Sequence, residues 1–252
     1  MQKRKEAETK LFDDFAFLAE CNIGGEFMDA KKIERLKEIA AITWTRHFDD
    51  RLGMSEAEHK RLQEIDAKPL PCQERLLEDK PEHLIVRSHE IDEHIYSELG
   101  ITMKIPHYYN NLGELYNLSI TKGTLNDEER YKINEHIIMS IRMLSELPFM
   151  DNLKKVPEYA CAHHETMKGT GYPRGLTKEQ ISLPARIIAI ADIFEALTAN
   201  DRPYKKAKTI SEAINILYSM KKDQHIDGDL FELFLKSGVY MKYAQMYLSS
   251  EQ

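Results

Sequence analysis

The chain has 252 residues, 42% of them hydrophobic and 31% charged, with 35 Lys and Arg against 42 Asp and Glu for a formal net charge of −7. That length holds one large domain or two small ones with apolar material for a core, and the mild, evenly spread acidity excludes disorder, collagen and a DNA binder built on a broad basic face. No apolar run reaches the ~20 residues of a membrane span, since the longest, Ala185 to Ala199, is interrupted by Arg186, Asp192 and Glu195.

Met1 to Lys10 carries charges of both signs and leads into no apolar signal region, so the chain is expected in the cytoplasm. Three cysteines, Cys21, Cys72 and Cys161, lack C-x-x-C spacing and suit a reducing compartment as free, mostly buried thiols. Only 11 Gly and 9 Pro favour long helices and an all-α fold. Glu6 to Cys21 has Leu11, Phe15, Leu18 and Ala19 at helical spacing, and Asn22 to Gly25 supplies a stop. Asp29 is placed to cap a second helix, with Ile33, Leu36, Ile39, Ala40, Thr43 and Trp44 on one face up to about Asp50. Residues 1–50 thus read as two packed helices. From Arg51 to His107 the pattern weakens into a polar, proline-punctuated stretch holding His59, His83, His89 and His94, and 51–107 reads as an insertion or long loop with exposed histidines.

Residues 108–252 read as a helical domain. Asn126 to Glu129 opens a helix with acidic first-turn residues, Ile133, Ile137, Ile138, Ile141 and Leu144 form its stripe, and Pro148 ends it. Further helices are expected over Val156 to Met167, Pro184 to Ala199, from a Thr209 to Glu212 capping box onward, over Asp227 to Gly238 and over Tyr240 to Leu248.

Four polar positions interrupt these apolar stripes: His136, the pair His163-His164, and Asp192. A carboxylate in a buried helix needs a partner or a cation, and neutral imidazoles with a carboxylate suit Zn, Fe or Mn. Adjacent histidines on a helix point about 100° apart, so both serve one site only if it is broad, as a cluster of two or more metals is. Singly, each residue has an ordinary explanation: His136 as a core histidine, His163-His164 as an interface pair, Asp192 as a partner of Arg186 or Arg202. Together they favour metal, and Lys168 to Leu176 follows directly, with three glycines and a proline that build a rigid loop beside them.

The run HHETMKGTGYPRGL followed by ISLPARIIAIADIFEALTANDRPYKKA resembles the HD-GYP domains of the HD superfamily, metal-dependent phosphohydrolases that open cyclic dinucleotides, over about Lys122 to Leu235. The resemblance implies an HD-superfamily helical bundle, here with extra N-terminal helices and a long inserted loop. It makes His136, His163, His164 and Asp192 ligands of two or three divalent ions (Fe, Mn or Zn). It puts Gly171, Tyr172 and Pro173 beside the substrate, and Arg202 and Lys205 on a substrate phosphate, a role that suits the guanidinium fork.

One departure stands out. Where the family has HDxGK, this chain reads His107-Tyr-Tyr-Asn-Asn-Leu-Gly-Glu-Leu115. Either the site is degenerate, or the helix expected to end near Asp50 delivers the missing ligands through Asp49 or Asp50, with His47 beside them. The second reading is favoured by the length and stripe of Ile33 to Asp50. Glu26 and Glu34 are weaker stand-ins for an upstream glutamate ligand, and Lys168 or Arg51 for the lysine of HDxGK.

The resemblance implies a phosphodiesterase that hydrolyses cyclic di-GMP or cyclic GMP-AMP with metal-activated water. The alternatives are a degenerate module that binds a cyclic dinucleotide or a protein, and another HD-superfamily phosphohydrolase. An N-terminal sensor domain, a signalling partner and a homodimer are compatible with the sequence.

Overall fold

The structure is a computed structural model that describes residues 2–25, 27–63, 65–89, 91–199 and 207–249. Among these residues the helices in chain order are α1 (Gln2–Ile23), α2 (Ala30–Ala40), α3 (Glu56–Arg61), α4 (Glu93–Glu98), α5 (Glu114–Leu118), α6 (Asp127–Ser145), α7 (Val156–Cys161), α8 (Leu183–Thr198), α9 (Ile210–Lys222), α10 (Gly228–Ser237) and α11 (Val239–Tyr247). Four short strands, β1 (Thr43–Arg46), β2 (Cys72–Arg75), β3 (Leu84–Ile85) and β4 (Asn110–Asn111), form two antiparallel pairs, β1 with β2 and β3 with β4. The fold is all-α. No described helix is long and apolar enough to cross a membrane.

The chain divides into two compact units, one of residues 1–90 and 105–132, the other of residues 91–104 and 133–252. In the first, Phe17 of α1 packs with Leu36 and Ile39 of α2, and Leu18, Cys21, Leu115 and Leu118 extend that core. Asp29 caps α2 by accepting from the Lys32 amide at 2.9 Å. The pair of β1 and β2 carries a buried ion network: the Arg46 guanidinium lies 3.1 and 3.2 Å from the two Glu74 oxygens, and Lys80 lies 3.4 Å from Glu74. The Arg46 hydrogen bond holds the Glu74 carboxyl below its ordinary range against the opposing effect of burial.

In the second unit, Ile190 and Phe194 of α8, Ala213 and Leu217 of α9, Ile226 just before α10 and Phe231 of α10 form one buried cluster, with Tyr240 and Tyr243 of α11 against it. Each of the Ile, Leu and Phe side chains contributes roughly 1.5–3 kcal/mol of burial. A smaller cluster joins Ile137, Ile138 and Ile141 of α6 to Cys161 of α7, with Tyr96 and Leu99 of the α4 region beside it. The capping box expected at Thr209 is present, and Asn126 with Glu129 forms a second one. The Thr209 hydroxyl accepts from the Glu212 amide, and the Asn126 side chain accepts from the Glu129 amide at 2.8 Å while Glu129 returns the bond to the Asn126 amide at 3.1 Å.

Several expected element boundaries are corrected. The second helix does not run to Asp50 but ends at Ala40, because Ile42, Thr43, Trp44 and Thr45 are β-branched or aromatic and pair as β1 with β2, in the register Thr43 opposite Arg75. Thr43 and Trp44, read as inward-facing, are exposed on that strand. Leu11 and Phe15 of α1 and Ile133 of α6 are exposed as well. Helix α7 stops at Cys161 rather than Met167, which leaves His163 and His164 on a turn. The stretch 51–107 carries α3, β2, β3 and α4. Elements of two to six residues are too short to write a period into the sequence.

Candidate metal centre

His136 is exposed on α6, one turn past Ile133, and its Nδ1 lies 2.5 Å from the Ile133 carbonyl oxygen. A carbonyl only accepts, so Nδ1 carries the proton and Nε2 presents a lone pair. His163 is oriented the same way, with Nδ1 2.6 Å from the Ala160 carbonyl at the end of α7. Such bonds fix the tautomer and ring orientation of metal-binding histidines. His164 brings its Nε2 to 3.2 Å from His136 Nε2, and its ring stands edge-on to that of His136 with centroids 5.1 Å apart.

Asp192, exposed on α8, completes the group: one ligand atom from each of His163, His164 and Asp192 lies within 4.8 Å of the others. Burial, then the positive charges that His163 and His136 would carry, push the His164 imidazole down to about 4, and Asp192 pulls weakly the other way. His164 is therefore neutral at neutral pH, the form that coordinates a metal. Three imidazoles and one carboxylate fit zinc, iron or manganese. Asp192 is not tied to Arg186, whose guanidinium lies 2.6 Å from Asp227.

The loop after the histidines closes on itself through a bridge between Lys168 and Thr177. Gly171 lies so close to the chain that a Cβ there would sit 2.5 Å from the Glu165 Cα and 2.6 Å from the His164 carbonyl oxygen. This approach lays Tyr172 flat on His164, with ring centroids 4.8 Å apart and 17° between the planes, and the Tyr172 amide donates to the His164 carbonyl at 3.3 Å. Pro173 is buried and its carbonyl accepts from the Thr102 amide at 2.9 Å. Lys168 is exposed at the loop's start. Arg202 and Lys205 lie outside the described residues, as does Glu26.

Asp49 and Asp50 belong to the first unit and follow strand β1 instead of ending a helix, so the helical reasoning that pointed to them no longer applies. The Asp50 carboxylate lies 3.2 Å from Arg46 and 3.7 Å from Lys80, and Asp49 accepts from the Arg51 amide at 2.9 Å. Arg51 itself spends its guanidinium on the Leu62 and Ile65 carbonyls. His107 and Tyr108, where the family's His-Asp pair is expected, stand ring edge to ring face at 4.6 Å.

Sequence reading passed over Glu165. It is buried, and its two oxygens accept from the Arg174 amide at 2.7 Å and the Leu176 amide at 2.9 Å. The signal that pointed to it was an acidic residue wedged between a histidine pair and a glycine-rich loop.

The chain is 32% identical over 157 residues to the 3'3'-cGAMP-specific phosphodiesterase 1 of Vibrio cholerae serotype O1, which covers 59% of this chain and 36% of that protein. It is 39% identical over 129 residues to a cyclic di-GMP phosphodiesterase of Pseudomonas aeruginosa, covering 51% of this chain and 30% of that one. A cyclic di-GMP phosphodiesterase of Thermotoga maritima is 32% identical over 130 residues, 52% of this chain and 34% of its own. The chain thus spans about a third of the length of these relatives. The family model described as HD domain matches residues 71–230, well over half of the chain, and begins inside the stretch read as an insertion. The histidine and aspartate cluster, the all-α fold and this match together show that the chain belongs to the HD domain family.

Proposed function

We propose that the chain is a metal-dependent phosphodiesterase that hydrolyses a cyclic dinucleotide, cyclic di-GMP or cyclic GMP-AMP. The observation that carries this reading is the convergence of His163, His164 and Asp192 ligand atoms within 4.8 Å, with His136 Nε2 against His164 Nε2. His136, His163, His164 and Asp192 would hold two or three divalent ions of Fe, Mn or Zn, which when bound make water nucleophilic at neutral pH and take up charge on a scissile phosphate. His136 and His163 keep their Nε2 lone pairs directed by donating from Nδ1 to backbone carbonyls. Tyr172 shields one face of His164, and Gly171, Tyr172 and Pro173 offer the substrate a rigid wall. Lys168, exposed beside that wall, and Arg202 and Lys205 by their place in the sequence, are proposed to meet substrate phosphates.

Asp49 and Asp50 are kept as the candidates for the carboxylate missing at the His107 position on sequence grounds alone; of the two, Asp50 is already ion-paired with Arg46 and Lys80. A second reading, a degenerate module that binds without turnover, is favoured by Tyr108 standing where the family carries aspartate. The reading extends to a cytoplasmic setting and to association with a sensor domain, a signalling partner or a second copy.

The test is elemental analysis of protein purified without chelator, followed by assays of Mn-loaded protein on cyclic di-GMP and 3'3'-cGAMP. The expected result is two or more metals per chain, lost in His164→Ala and reduced in Asp49→Ala with Asp50→Ala, together with linear dinucleotide product. Metal without turnover, or no metal at all, supports the binding module and sinks the enzyme. Metal and turnover untouched by changing Asp49 and Asp50 remove those two from the site.

A further inference from the structure

We infer that Glu165 is a positioning residue for the metal centre: from beneath the glycine-rich loop it fixes the backbone that holds Tyr172 on His164, and so aims the imidazole. The inference rests on the metal reading above and concerns a side chain to which that reading gives no role.

The carboxylate is 2% exposed, yet no cation pairs with it at ion-pair distance among the described residues. Its two oxygens are taken by the amides of Arg174 and Leu176, at 2.7 and 2.9 Å. A carboxylate in that position is costly unless its oxygens are satisfied, so the sequence spends it on holding the far limb of the loop. The near limb lies on the Glu165 backbone, where Gly171 leaves no room for a Cβ. Tyr172 and Pro173 are therefore spanned by two fixed points, one on each side of Glu165. The outer face is tied separately, by the Arg174 guanidinium donating to the Leu99 carbonyl at 2.8 Å and the Thr102 amide donating to Pro173. With the loop pinned, the Tyr172 ring stays parallel to His164, and His164 keeps its Nε2 toward His136. Groups that orient a metal ligand typically control metal affinity by roughly 10–100-fold.

Two measurements on the full chain test this in wild type, Glu165→Gln, Tyr172→Ala and the double variant. Hydrogen exchange of the peptide covering residues 169–177 should rise in Glu165→Gln while α9 and α10 stay protected. Titration with Mn(II) should show affinity weakened roughly 10–100-fold in Glu165→Gln. In the Tyr172→Ala background the same change should cost little more, because both act through one ring. A purely structural role predicts instead a lower melting temperature with unchanged Mn(II) affinity in the folded protein. Unchanged exchange over 169–177, unchanged Mn(II) affinity, or full additivity with Tyr172→Ala each overturns the inference. If wild type binds no Mn(II), the metal reading fails by that measurement alone, whereas failure of the Glu165 role is seen only in the variants of a wild type that binds.

Discussion

Two buried carboxylates, Glu74 in the first unit and Glu165 in the second, are satisfied in opposite ways. In the first, Arg46 and Glu74, 28 residues apart in sequence, neutralise one another across β1 and β2, and Lys80 and Asp50 close the network around them. In the second, Glu165 is satisfied by backbone amides of its own loop, and the histidines turn their nitrogens toward one another and toward Asp192. A network of opposite charges spends its groups mainly on one another and serves the fold. Histidines whose Nδ1 atoms are held by backbone carbonyls, as in His136 and His163, still turn Nε2 outward, and that availability makes the cluster the candidate for chemistry.

The largest expected effect sharpens the contrast on the open side. Replacing His164 or Asp192 by alanine should lower hydrolysis of a cyclic dinucleotide by roughly a thousandfold, the several kcal/mol a metal centre supplies, with little change in melting temperature. A large fall in melting temperature instead would make the cluster structural.

On the closed side, Arg46→Met leaves the buried Glu74 carboxylate to Lys80 and Lys68 alone and should cost about 1–3 kcal/mol of stability in chemical unfolding at pH 7. The sign with pH follows from the lowered Glu74 carboxyl. Its folded-state value is below the ordinary 4.5, so the stabilisation is present above pH 4.5 and is lost as pH falls through the folded value. The variant should therefore lose less stability than wild type between neutral pH and that acid range. Equal pH dependence in the two proteins would show that Glu74 does not depend on Arg46.

Gly171→Ala puts a Cβ 2.5 Å from backbone and should cost about 1–3 kcal/mol while weakening Mn(II) binding, read by calorimetry beside a thermal melt. Full metal affinity in that variant would separate the loop from the site. The smallest effect is a control distant from both charge systems in function. Thr209→Ala removes the α9 cap and should cost about 1 kcal/mol with metal binding unchanged.

The elements legible in the sequence share a property: their signal is local. Helix α6 shows its acidic first turn and its isoleucines, α9 its capping box, and the loop after His164 its glycines, because each needs only residues within one or two turns of each other. The candidate residues His136, His163, His164 and Asp192 stood out as polar positions within apolar runs, but the burial that reasoning assumed is not found: His136 and Asp192 are exposed on α6 and α8, and His163 and His164 lie on a turn.

What the sequence misread depended on partners far along the chain. The second helix was extended to Asp50 because its stripe continues through Thr43 and Trp44, but pairing with residues 72–75 wins once that strand is available. The turn that carries His163 and His164 likewise follows from α7 stopping at Cys161, where the Gly171 approach and the Glu165 bonds fold the next residues back. The sequence by itself therefore determined the helical class and singled out the histidine and aspartate candidates, because composition and period are properties of neighbours. Only the tertiary structure decided which nitrogens converge and which carboxylate is spent on holding the loop, because hydrogen-bond partners and close approaches are chosen by distances that the order of residues does not contain.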